Sequence, residues 1–198
     1  MTLPNKLTTG RLLSAPLVFL LWYVPVYLGY APKGGIIALW VLFLLSEVTD
    51  LLDGYIARSR NLVSDIGKLM DPFSDVFLRV TYFVGFVAFG LMPVWALIVI
   101  LWRELLILFI RMLLIREGFA MAANVWGKAK SFLYFLSGVG GMLGLTFRIW
   151  YRDADWLYNA ERIIYYVFAA SAVAALISFA VYFNGFRKSE TYKKFISE

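Results

Sequence analysis

Asp50 and Asp53 stand three residues apart, and Asp71 and Asp75 four apart, in a chain that is otherwise overwhelmingly apolar. On a helix, either spacing puts both carboxylates of a pair on one face. Two such helices facing each other would converge four hard oxygen donors on a small volume. That donor set suits Mg²⁺, Mn²⁺ or Ca²⁺ and does not suit zinc. Four carboxylates crowded together without compensation repel one another and are forced to protonate, and few cations lie beside them in the sequence. A pair of divalent ions resolves the repulsion. Two metals in turn suit a clamp on a phosphoryl group during an in-line displacement.

The rest of the composition narrows the chemistry to those carboxylates. Of 198 residues, 62% are hydrophobic and 16% charged, and there is neither cysteine nor histidine. Disulfides, thiolate nucleophiles, the usual zinc sites and histidine-based triads are therefore excluded. Catalysis has to run on carboxylates, Lys and Arg, hydroxyls and bound metal. A net charge of +6 on so apolar a chain reads as attraction to a membrane surface, with no nucleic acid implied.

A spanning helix needs about 20 mostly apolar residues, and that ruler marks six: 12–30, 36–58, 71–91, 93–116, 125–147 and 163–183. The expected fold is an all-α membrane protein, a single domain over 1–198 with six transmembrane helices. Pro16 and Pro25 should bend the first helix, Ala31 to Gly35 should form a turn, and Arg58 to Met70 a polar loop. Asp71 reads as an N-cap with Pro72 at the first helical position. The first eleven residues read as a short amphipathic segment at the interface. Their polarity argues against a cleaved signal peptide. Lys6, Arg11, Arg58, Arg60, Lys68, Arg116, Lys128, Lys130 and the basic residues between Arg187 and Lys194 fall on one side, Lys33, Arg148, Arg152 and Arg162 on the other. The first side is then cytoplasmic, and it holds both termini and the four carboxylates at their helix ends. A divalent-cation transporter would instead want its carboxylates near the midplane on broken helices.

Small residues accompany the acids. Gly54 and Ala57 share the face of the first pair, and Gly67 lies one turn before Asp71, so a ligand or helix could approach the backbone there. Arg103 and Arg111 lie near one face of an apolar run. Either they snorkel or pair, Arg103 with Glu47 or Glu104, or they join Lys128 and Lys130 in a pocket for a phosphate. The run Ser137-Gly-Val-Gly-Gly141 permits close helix packing, within the protomer or between protomers.

The full run D-x2-D-G-x2-A-R-x8-G-x3-D-x3-D, filled by Asp50, Asp53, Gly54, Ala57, Arg58, Gly67, Asp71 and Asp75, resembles the signature of the CDP-alcohol phosphatidyltransferases. The resemblance implies a six-helix membrane enzyme, commonly a homodimer, that needs Mg²⁺ or Mn²⁺ and exchanges the CMP of a CDP-linked lipid for an acceptor alcohol. It implies that Asp50, Asp53, Asp71 and Asp75 hold two metals and that Asp75 is also the general base. Gly54, Ala57, Arg58 and Gly67 would bind the CDP donor. Around the signature, residues 3–11, Arg103-Glu104, Arg111 and the stretch from Gly118 to Lys130 are similar to the branch that makes phosphatidylglycerophosphate. That likeness implies CDP-diacylglycerol as donor and glycerol 3-phosphate as acceptor, with Arg103, Arg111, Lys128 and Lys130 on the acceptor phosphate. Two positions depart from the branch: Val76 stands where a lysine is usual and Tyr134 where a glutamine is. With Arg79 one turn after Asp75, the departures leave inositol phosphate, choline or serine open as acceptors.

Overall fold

The computed structural model describes residues 3–60, 65–116 and 125–197. A backbone that cannot reach water must satisfy its polar groups within its own segment, and every regular element among the described residues is helical. They are α1 (Leu3–Leu21), continued by a π-helical stretch (Trp22–Tyr27), α2 (Pro32–Arg60), α3 (Asp65–Ala88), α4 (Val94–Arg116), α5 (Val125–Trp150), α6 (Leu157–Arg187) and α7 (Glu190–Ser197). Among the described residues, four segments are long and apolar enough to cross a membrane: Thr8–Tyr27, Pro32–Asp50, Trp126–Trp150 and Leu157–Arg187. α3 and α4 are of similar length, but they carry Asp71, Asp75 and Arg79 and Arg103, Glu104 and Arg111, respectively.

Several boundaries differ from the sequence expectation, each for a local reason. Residues 3–11 are the first turns of α1 and are continuous with it. Pro16 sits inside α1, whereas around Pro25 the backbone widens, and the Leu28 amide reaches back five residues to the Tyr23 carbonyl at 2.9 Å. Proline has no N–H to give the ordinary helix ladder, and the wider turn absorbs that loss. Gly29, at φ 77°, then ends the segment in a conformation that side chains with a Cβ resist. Pro32 to Gly35, expected as a turn, already belongs to α2, and α2 runs on to Arg60. Asp71 is no N-cap: α3 starts at Asp65, and Pro72 lies inside the helix. An Asp-Pro pair signals a first turn only when nothing helical precedes it, and here Asp65 starts the helix six residues earlier. Residues 58–60 and 65–70 of the expected loop are helical, and 61–64 fall outside the described set. The motif acids accordingly sit within their helices, about two to three turns from the ends, rather than at the tips.

The helices close into a ring in which α1 packs on α3, α3 on α4, α4 on α6, α6 on α5, α5 on α2 and α2 on α1, with α3 also meeting α5. Its centre is aromatic: Phe83 and Phe86 of α3 meet Phe168 of α6 at 5.7 and 5.9 Å between ring centroids. Edge-on and tilted contacts of this kind add to simple area burial. A second cluster joins Ile107, Ile110 and Leu114 of α4 to Tyr182 and Phe186 of α6, and Tyr192 docks α7 on Phe186 at 5.3 Å. At the end of the bundle remote from Asp75, the forked Arg148 guanidinium on α5 binds Glu161 of α6, Nη2 to Oε2 at 2.8 Å, and also donates to the Phe89 carbonyl just after α3.

The glycine run on α5 packs inside the protomer. A Cβ at Gly138 would stand 2.9 Å from the Phe43 ring and one at Gly141 only 2.4 Å from the Phe86 ring. Phe86 is 1% exposed and has nowhere to go. Gly141→Ala is therefore expected to destabilise the protein by about 1–3 kcal/mol, read as a lower melting temperature in detergent. Gly34→Ala, with open space around the position, is the control that should show no such loss.

Candidate active site

Three of the four expected carboxylates, from two helices, come together. Oxygen atoms of Asp50 on α2 and of Asp71 and Asp75 on α3 all lie within 4.8 Å of one another. At the effective dielectric of a protein edge, two carboxylates at that distance repel by about 3 kcal/mol, so three mutual neighbours need cations. The donors are hard oxygens only and they converge, which fits Mg²⁺ or Mn²⁺. Asp53, Gly54, Ala57 and Arg58 belong to the later turns of α2 and Gly67 to the first turns of α3. The side chains at these five positions lie outside the described set.

A cation is already present that the spacing of the acids did not announce. Arg11 on α1, its side chain only 3% exposed, places Nη1 3.1 Å from Asp50 Oδ1 and 3.2 Å from Asp71 Oδ1. The same nitrogen donates to Asp75 Oδ1. The expectation that few cations stand near the acids is corrected here. Arg11 is 39 residues from the nearest of them in sequence and reaches them because α1 packs on both α2 and α3.

The four basic residues expected at the acceptor phosphate divide into two kinds. Arg103 and Lys130 are buried and engaged: Arg103 Nη1 lies 3.0 Å from both Glu104 carboxylate oxygens, and Lys130 Nζ 2.8 Å from Glu104 Oε1. Arg103 Nη2 also donates to Ser178 Oγ of α6 at 3.1 Å. Of the two partners open to Arg103, the structure selects Glu104. Arg111 is half-buried and Lys128 exposed. The two positions that depart from the resemblance are both buried. Tyr134, 1% exposed, presents its ring to Lys130 Nζ at 4.4 Å and to the Arg79 guanidinium at 5.3 Å, both within cation–π range. Val76 is buried and lines the large cavity together with Arg79 and Lys130.

One cavity of about 630 Å³ joins these groups. Glu47, Asp50, Asp71 and Asp75 line its acidic part, and Arg79, Arg103, Arg111, Lys128 and Lys130 its mainly basic part, which also holds Glu104 between Arg103 and Lys130. Ser178 and Tyr182 of α6 complete it, although α6 carries no motif that would have suggested a role. The volume is that of a ligand pocket, and its polarity is split in the way a substrate with both metal-neutralised and free phosphate groups would need.

Comparison with known proteins bears on the same residues. The family model described as CDP-alcohol phosphatidyltransferase matches residues 1–177. The chain is similar to the CDP-diacylglycerol–glycerol-3-phosphate 3-phosphatidyltransferase of Bacillus subtilis (strain 168), 34% identical over 68% of this chain and 73% of that protein. The protein of the same name from Treponema pallidum (strain Nichols) is 34% identical over 83% of this chain and 77% of its own length. The cardiolipin synthase (CMP-forming) of Streptomyces coelicolor is 35% identical over 67% and 60%, respectively.

Proposed function

The chain belongs to the CDP-alcohol phosphatidyltransferase family, and from that membership we propose that it transfers the phosphatidyl group of CDP-diacylglycerol to glycerol 3-phosphate, giving phosphatidylglycerophosphate and CMP. The observation that carries the reading is a cavity lined both by the carboxylate cluster and by a group of five basic side chains. An acceptor that brings its own phosphate needs the basic group, whereas choline or serine would gain little from it. The names of the Bacillus and Treponema relatives point to the same acceptor.

Divalent ions held by Asp50, Asp53, Asp71 and Asp75 would neutralise the diphosphate and the departing CMP. Asp75 accepts the proton of the acceptor hydroxyl as that oxygen bonds to the lipid-side phosphorus and the bond from that phosphorus to CMP breaks. Arg111 and Lys128 take the acceptor phosphate, with Arg103 and Lys130 behind them on Glu104. Gly54, Ala57, Arg58 and Gly67 admit the cytidine diphosphate head. All six long helices cross the cytoplasmic membrane, with both termini and the site on the cytoplasmic side, as the basic residues favour, and the enzyme works as a homodimer.

A panel of acceptors tests the assignment. Purified protein given CDP-diacylglycerol and Mn²⁺ should release CMP with glycerol 3-phosphate, and Arg111→Ala should raise the KM for that acceptor more than tenfold with a smaller change in kcat. Faster release with free glycerol, inositol phosphate, serine, choline or phosphatidylglycerol would overturn the acceptor and leave the family reaction standing.

A further inference from the structure

Arg11 stands at the point on which the carboxylates converge. One nitrogen, Nη1, contacts Asp50, Asp71 and Asp75 together, while the three oxygens lie within 4.8 Å of one another. A guanidinium hydrogen and a divalent cation compete for the same oxygen lone pairs. A nitrogen in the middle of three oxygens leaves no room there for an ion bound by the same three. An arginine cannot escape the conflict by losing its proton, because it stays charged at any physiological pH. It can only move its head group.

We propose that Arg11 is a built-in counter-cation that holds the carboxylate cluster together in the metal-free protein and must release it when a divalent cation binds. The inference rests on the reading of the cluster as the metal site and concerns its energetics rather than the reaction. Arg11 then has two effects of opposite sign. It relieves the repulsion among the carboxylates, so it stabilises the protein without metal. It also occupies their oxygens, so it weakens their affinity for metal. If the arginine holds the oxygens for about 90–99% of the time, the apparent affinity falls about ten- to a hundredfold. The device keeps α1 docked on α2 and α3 before loading, and ties loading to a movement of the N-terminal helix's side chain.

The test compares the whole wild-type protein with Arg11→Gln and Arg11→Lys in detergent, measuring Mn²⁺ affinity directly by calorimetry or electron paramagnetic resonance, and thermal unfolding with chelator and with saturating Mn²⁺. Arg11→Gln is expected to bind Mn²⁺ at least about tenfold more tightly and to melt at lower temperature than wild type only in chelator, the gap closing with Mn²⁺. Arg11→Lys, a single point charge on a shorter reach, should fall between the two. Mn²⁺ affinity that is unchanged or weaker in Arg11→Gln, with wild-type binding intact, overturns the counter-cation role alone. Absence of Mn²⁺ binding in all three proteins overturns the metal reading of the cluster and this inference with it. An Arg11→Gln protein that melts lower under both conditions overturns the inference in favour of a purely structural arginine.

Discussion

Asparagine in place of Asp75 is expected to cut CMP release by about 10²–10⁴-fold, the range lost when a positioned general base is removed, while CDP-diacylglycerol still binds. The exchange keeps shape and one oxygen but removes the charge and the ability to take up the acceptor proton. Asp75 is the member of the cluster best placed for that work. Its side chain is 24% exposed against 46% for Asp50 and 48% for Asp71, and all three line the cavity where the acceptor is proposed to lie. Burial of the base away from bulk water and next to the incoming hydroxyl is what proton transfer needs. Donor binding measured in parallel separates this loss from a collapsed pocket. Turnover within about fivefold of wild type would remove Asp75 from the role.

The second large effect concerns stability. Glu104→Leu is expected to destabilise the protein by about 3–5 kcal/mol, the cost of stranding buried charge. Arg103 and Lys130, each 7% exposed, share this one carboxylate, and no other ion pair to either is present among the described residues. The partner test is to remove the cations too: Glu104→Leu combined with Arg103→Leu and Lys130→Met should regain most of the lost stability, since an apolar replacement of a buried ion cluster is often neutral or better. The combined variant should fold and yet respond poorly to glycerol 3-phosphate. Thermal unfolding reads the first part and the acceptor KM the second. A single variant as stable as wild type would mean that the cluster is open to water.

Both predictions turn on residues that the sequence revealed unequally. Helix positions were legible because apolar runs of spanning length have no other use: α2 to α6 fall within a few residues of their expected centres, whereas α1 starts at Leu3, well before the expected Leu12, because its polar first turns continue the same helix. The meeting of Asp50 with Asp71 and Asp75 was legible too, because helical spacing alone fixes which carboxylates share a face. Arg11 was not. Nothing in a sequence says that a cation 60 residues from Asp71 will reach it, since that depends on α1 packing between α2 and α3. The start of α3 was misread because Asp71-Pro72 carries a first-turn pattern that also fits a helix interior. Glu104 was seen only as one of two partners for Arg103. Its hold on Lys130 needed the α4–α6–α5 arrangement, and the Ser178 and Tyr182 contributions of α6 come from an apolar helix with no marked residue.

The Arg148 fork has a mechanical meaning beyond its hydrogen bonds. It fastens α5, α6 and the end of α3 to one another, and Asp75 lies 14 residues up α3 from Phe89, about 20 Å at the helical rise. Over a lever of that length, a tilt of about 3° at the fastening swings the carboxylates by about 1 Å. Errors of that size at a reacting centre can cost a hundredfold in rate. The far end of the bundle thus acts as a fulcrum that sets aim, and wear at the fulcrum surfaces as lost turnover at the opposite rim.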